Sequence, residues 1–255
     1  MQNNKQIAYI TGATSGFGRA IALNLAKNGY NIIVTGRRKE RLDALAEEVE
    51  KNTQAKVWVS HYDVRDNDAV EKAIDALPDE WKQIDVLINN AGLAAGLNPI
   101  QTGSLDDWNQ MIDTNLKGLL YVTRKIAPLM VARNSGYIIN IGSIAGKEVY
   151  PNGNVYCATK HAVDALTKAM RMDLLPHGIK VTQIAPGAAE TEFSLVRFKW
   201  NQEAADNVYK GYQPLTAEDI AEIVAYLLKL PKHVCINDMV VTCLAQACAT
   251  GFCKK

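Results

Sequence analysis

Short apolar runs alternate with stretches of helical periodicity along most of the chain. The runs are Ile7–Ile10, Asn31–Thr35, Val57–Tyr62, Ile84–Ile88, Tyr137–Ile141 and Ile179–Ile184. Their lengths suit strands, and runs this continuously apolar suit strands covered on both faces. Between the first two, Ile21, Ala22, Leu25 and Ala26 recur at helical spacing and stop at Asn28-Gly29, a pair that commonly ends helices. The longest helical patterns cover 105–131 and 155–175. This alternation predicts an α/β fold, a doubly wound parallel sheet of Rossmann type with helices on both faces. No linker, repeat or low-complexity tract interrupts it, so the 255 residues read as one domain. The rhythm breaks only at 188–212, which mixes Phe193, Phe198 and Trp200 with charges. An excursion of that length is uncommon unless it covers a site, and a substrate lid is expected there.

The loop Thr11–Gly18, after the first strand, holds Gly12, Gly16 and Gly18 with Thr14, Ser15 and Phe17 between them. Glycines let the backbone approach a pyrophosphate, and the following helix offers it unpaired N–H groups. The spacing is G-x-x-x-G-x-G rather than G-x-G-x-x-G, and an ordinary flexible connection would also tolerate it. A carboxylate that holds the ribose 2′-hydroxyl of NAD is expected at the end of the second strand. Here the chain reads Thr35-Gly36-Arg37-Arg38, with no acid until Glu40. Guanidiniums grip phosphate bidentately and stay charged, so Arg37 and Arg38 favour the 2′-phosphate of NADP. The plainer reading, two solvated arginines opening a helix, runs against the helix dipole.

Tyr156 and Lys160 stand one helical turn apart, with Ser143 upstream in Gly142-Ser143-Ile144. A cation beside a phenol favours phenolate, which would turn Tyr156 into a usable base near neutral pH. Such a pair alone is weak evidence. With the glycine loop, with Asn89-Asn90-Ala91-Gly92, with Asn115 in Asp113–Gly118 and with Pro186-Gly187, the chain resembles the short-chain dehydrogenase/reductase family nearly end to end. The resemblance implies a catalytic set of Asn115, Ser143, Tyr156 and Lys160. It places cofactor contacts at Gly12, Thr14, Ser15, Gly16, Phe17, Gly18, Arg37, Arg38, Asp63, Val64, Asn90, Ala91, Gly92, Tyr156, Lys160, Pro186, Gly187 and Thr191. It further implies that Lys160 lowers the Tyr156 pKa and holds the nicotinamide ribose, while Asn115 holds a water linking Lys160 to solvent.

Within that family, Thr35–Arg38, Met111–Asn115, Tyr150–Tyr156 and Thr191–Lys199 resemble the bacterial NADP-dependent serine/3-hydroxy acid dehydrogenases. One departure is visible: Ala189-Glu190 stands where that group commonly has Gly-Gly. Substrate contacts are expected from Ser143, Tyr150, Tyr156, Glu190 and Arg197. Arg197 would serve as partner of the substrate carboxylate, and Val149 and Phe193 are further candidate lining. A 3-oxoacyl-carrier-protein reductase would share the catalytic residues but needs a basic docking surface. A non-catalytic NADPH sensor would have no need of an activated phenol.

A net charge of +1 gives no global pull toward nucleic acid or an anionic membrane. The apolar runs fall well short of a bilayer span, and Met1–Gln6 is polar. The five cysteines, Cys157, Cys235, Cys243, Cys248 and Cys253, form no C-x-x-C pair. An odd number favours free thiols in a reducing cytoplasm, and no metal site is expected. A homotetramer is implied by the family resemblance, with the 105–131 and 155–175 helices as one contact.

Overall fold

The computed structural model describes residues 5–255. Seven parallel strands form one sheet: β1 (Ile7–Ile10), β2 (Asn31–Gly36), β3 (Val57–His61), β4 (Ile84–Asn89), β5 (Gly136–Ile141), β6 (Ile179–Pro186) and β7 (Asp238–Val241). Their spatial order is β3-β2-β1-β4-β5-β6-β7. The chain therefore runs outward in one direction from β1, returns to β4 beside it, and runs outward in the other. That reversal leaves a crevice at the carboxyl ends of β1 and β4, where open α/β sheets bind ligands.

Helices cover both faces, as the apolar strand runs require. On one face α1 (Gly16–Lys27), α2 (Lys39–Asn52) and α9 (Ala217–Lys229) bury Ile21, Leu25, Leu42, Leu45, Ile220 and Val224 against the sheet. On the other, α3 (Asn67–Asp75), α5 (Leu119–Val131) and α6 (Asn154–Leu174) bury Val70, Ile74, Val122, Ile126 and Val163. A third, smaller cluster at the strand ends joins Leu93, Ala94, Met111, Tyr156 and Cys157.

The 105–131 pattern is not one uniform helix. It divides into α4 (Leu105–Ile112), a π-helical turn (Asp113–Gly118) and α5. The wider turn carries Asn115, whose side-chain oxygen accepts from Leu93 N at 2.8 Å and whose amide donates to Leu93 O at 2.8 Å and Thr159 Oγ1 at 3.1 Å. Such bulges trade helix regularity for side-chain placement and recur at functional sites. The 155–175 pattern holds as α6, closed by a short 3-10 turn at Leu175–His177. The 188–212 segment contains two short helices, α7 (Glu192–Arg197) and α8 (Gln202–Tyr209). They are joined through Lys199 and Trp200, both left-handed with φ of 52° and 68°.

Candidate functional site

A cavity of about 730 Å³ opens at the strand carboxyl ends, from Gly12 and Arg38 at one end to Tyr150 and Arg197 at the other. Thr11 knits its floor. Its hydroxyl accepts from Asn90 N at 3.0 Å and Ala91 N at 2.9 Å, and Asn90 Nδ2 donates to Thr11 O at 2.8 Å. Gly12 adopts φ +68°, and a Cβ there would lie 2.9 Å from Ala91 Cα. Only glycine leaves this stretch of backbone open to a ligand. Gly18 does a different job from the one expected: it does not line the cavity, and a Cβ there would meet Gly12 O at 2.4 Å. Its missing side chain lets α1 sit tightly under the loop.

Thr14, Ser15, Gly16, Phe17, Arg37, Arg38, Asp63, Val64, Asn90, Ala91, Gly92, Pro186, Gly187 and Thr191 all line the cavity. Arg38 donates to Thr14 Oγ1 at 2.7 Å and Ser15 Oγ at 2.9 Å. Burial works against ionisation of Asp63, but bonds from Arg65 hold its carboxyl below the usual range. A glycine-floored cradle with two arginines at the end of β2 and no acid before Glu40 suits a dinucleotide with a 2′-phosphate.

Tyr156 and Lys160 are buried on one face of α6, and Ser143 is buried opposite on the turn after β5. Ser143 Oγ accepts from Ala145 N at 3.1 Å and donates to Pro186 O at 3.4 Å. Burial pushes the Tyr156 phenol well above its usual range, helped by Tyr150, while Arg197 and Ser143 pull it down. Lys160 is not among the main influences on that phenol. Its Nζ lies 6.0 Å from the Tyr156 ring centre and donates to Ile141 O at 2.9 Å. Burial also drives Lys160 itself down to about 8, weakening it as a cationic partner.

Asn115 and Lys160 both approach Gly92, where a Cβ would lie 3.3 Å from Asn115 Oδ1 and 3.5 Å from Lys160 Nζ; Asn115 itself stands one layer back. It lies behind the wall, not in it, and its bonds to Leu93 and Thr159 occupy both ends of the amide. The residue supports the Gly92-Leu93 stretch that faces the cavity.

At the far end Arg197 stacks among three rings: its guanidinium carbon lies 5.0 Å from Tyr156, 5.3 Å from Phe193 and 5.5 Å from Tyr150. It donates to the Tyr150 hydroxyl, its Nε has no partner, and it belongs to none of the ion pairs among the described residues. Glu190 is exposed and outside the cavity lining, so the expected substrate contact fails: its backbone N is bonded to Leu215 O and the side chain faces solvent. Val149 is likewise exposed and outside the lining.

Several lining residues escaped the sequence reading. Asp107, Gln110 and Thr114 share one face of α4 and its π turn, and that spacing was visible. Gln246, Phe252 and Lys254 also reach the cavity, from a C-terminal tail whose local sequence carries no signal that it folds back. No helix among the described residues is long and apolar enough to cross a membrane.

The short chain dehydrogenase family description matches residues 6–202. The chain is 48% identical over 244 residues to the NADP-dependent 3-hydroxy acid dehydrogenase YdfG of Salmonella typhi, covering 95% of this chain and 97% of that one. It is 46% identical over 243 residues to the serine 3-dehydrogenase of Agrobacterium fabrum, covering 95% of each. The closed form of serine dehydrogenase complexed with NADP+ superposes with a TM-score of 0.92 at 44% identity, over 98% of this chain and 100% of that one. Parallel sheet, glycine cradle and Ser-Tyr-Lys site thus belong together: the chain is a member of the short-chain dehydrogenase family.

Proposed function

We propose that the protein is an NADP-dependent oxidoreductase that oxidises the 3-hydroxyl of small 3-hydroxy acids such as serine or allo-threonine and reduces the matching 3-oxo compounds. The bound dinucleotide supplies the hydride acceptor or donor. The chain's own residues manage one proton and the substrate's position. Tyr156 rests protonated because burial disfavours its phenolate, so it is ready to donate to a forming alkoxide. Oxidation runs the same proton the other way and requires phenolate. Lys160, one turn along α6, is the cation that would stabilise phenolate once its Nζ leaves Ile141 O. Ser143 donates to the reacting oxygen as charge develops there.

The observation that carries the substrate assignment is Arg197. A guanidinium set among aromatic rings beside Tyr156, with no carboxylate partner among the described residues, suits a substrate carboxylate. The named relatives support the same reading. The 188–212 segment serves as a lid that carries Arg197 to the substrate. Lys199 ties it to Asp107 at 3.1 Å, and Gly96 N donates to Arg197 O at 3.0 Å. We assign the protein to the cytoplasm, supported by five free thiols. We assign it a homotetrameric assembly, supported by apolar residues left exposed on the proposed contact helices, Leu105 on α4 and Met172 on α6.

Steady-state kinetics with serine and allo-threonine against both cofactors tests the assignment. Arg197→Ala should raise KM for the acids more than it lowers kcat, the pattern of lost uniform binding. Neutral alcohols of similar size should change far less. Equal loss for neutral and acidic substrates would make Arg197 structural and remove the hydroxy-acid reading.

A further inference from the structure

The helix that carries Arg197 ends on a residue its backbone does not favour. Trp200 N donates to Leu195 O at 2.7 Å and Lys199 N to Val196 O at 3.1 Å, the paired closure that sets the first residue past a helix in the left-handed region. Glycine is the usual occupant of that slot, yet here it is Lys199, at φ 52°. The backbone gains nothing from a lysine there, so the reason lies in the ammonium. Its Nζ lies 3.1 Å from Asp107 Oδ2, and it is the only cation paired with Asp107 among the described residues. The lysine is largely exposed, whereas the carboxylate is buried in the cavity wall. Asp107 shares that wall with Arg197, and with Tyr156 both also border a second void of about 10 Å³. Gly96 joins the two: its N donates to Arg197 O at 3.0 Å, and a Cβ on it would lie 2.8 Å from Asp107 Oδ2. A buried carboxylate thus stands close to the guanidinium without pairing to it.

We propose that Lys199 is a specificity-determining residue: by neutralising Asp107 it keeps the Arg197 end of the cavity receptive to an anionic substrate. The inference rests on the 3-hydroxy acid reading above. Without the lysine, Asp107 would act against such a substrate twice. It would repel the substrate carboxylate directly, and it would compete for the guanidinium, whose Nε has no partner. Arg197 and Asp107 alone carry no net charge between them; Lys199 restores one positive charge. Although the ammonium reaches solvent, it lies against a buried carboxylate, where screening by salt and water is weak. A neutral substrate is indifferent to this balance. Lys199 therefore acts through its neighbours, on the choice of substrate, and not on the reacting atoms.

The test compares 3-hydroxypropionate with its methyl ester, which keeps the reacting carbon and loses the charge, in steady-state kinetics at saturating NADP+. Lys199→Met should raise KM for the acid about tenfold, the effect of one uncompensated charge about 10 Å away at an effective dielectric near 20. Its kcat, and both constants for the ester, should stay near wild type. Lys199→Arg should behave as wild type. Asp107→Asn alone should not raise KM for the acid. The double variant Asp107→Asn/Lys199→Met should return that KM close to the wild-type value, because no charge is left to neutralise. This rescue separates the proposal from a plain lid tie, in which every variant lacking the pair would be equally impaired. A double variant as impaired as Lys199→Met, or equal loss for acid and ester, would overturn the proposal. So would an unchanged KM for the acid in Lys199→Met. If wild type takes the ester as readily as the acid, it is the hydroxy-acid reading that fails.

Discussion

Tyr156 and Lys160 lie one turn apart in a place that withholds water from both, and burial moves their proton affinities in opposite directions. The folded lysine releases its proton near pH 8, whereas an unfolded lysine holds it to about 10.5. Between those values the unfolded chain binds more protons, so this residue makes stability rise with pH. Below pH 8 both states are protonated and the cost of the buried cation is fully present. Denaturant titrations from pH 8 to 10 should show a gain of about 2–3 kcal/mol from this residue, which Lys160→Met should abolish. A wild-type profile that is flat or falling over that window, and no different from the variant's, would show the lysine is not desolvated in solution. Tyr156, held above its usual range, titrates outside that window. Tyr156→Phe should keep dinucleotide affinity and lose about 10²–10⁴-fold in kcat, the usual worth of a proton-transfer group. Near-normal turnover by the variant would refute the assigned chemistry. The positions of these side chains were readable from Tyr156-x-x-x-Lys160. Their actual proton affinities were not, because they depend on where Lys160 Nζ points and how deeply the phenol sits.

The π turn shows how an element can serve a residue. A regular helix from Leu105 to Val131 would satisfy the apolar periodicity, yet the chain widens at Asp113–Gly118. The widening lets one asparagine satisfy both backbone groups of Leu93. Asn115→Leu would leave a buried N–H and C=O unpaired, each costing about 1–3 kcal/mol. A melting temperature several degrees lower, with turnover reduced, is the expected outcome. Unchanged stability with lost activity would instead assign Asn115 to the chemistry. Periodicity predicted the helix, since hydrophobic spacing reports which face is buried. It could not predict the bulge, which answers to a partner 22 residues away in sequence.

At the scale of the molecule, six of the seven strands announce themselves as apolar runs, five because they are almost wholly buried and the edge strand β3 through the half-buried Val57, Trp58 and Val59. β7, four half-exposed residues at the sheet edge, has no such run and was missed. The sheet reversal that creates the crevice follows from strand order, and strand order follows from the family likeness more than from any local pattern. The proposed homotetramer predicts that sedimentation at micromolar concentration gives a particle near four times 28.0 kDa. A species of one chain would remove it and leave Leu105 and Met172 exposed without reason. The molecule also divides its labour unevenly. The Ser-Tyr-Lys group and the glycine cradle sit on strand ends and on α6, braced by the core. Phe193, Arg197 and Trp200 instead arrive on one unbroken stretch of chain that adds no strand to the sheet. That stretch behaves as a cassette: grafting 188–212 from a relative would exchange much of the substrate-facing surface while every proton-handling group kept its place.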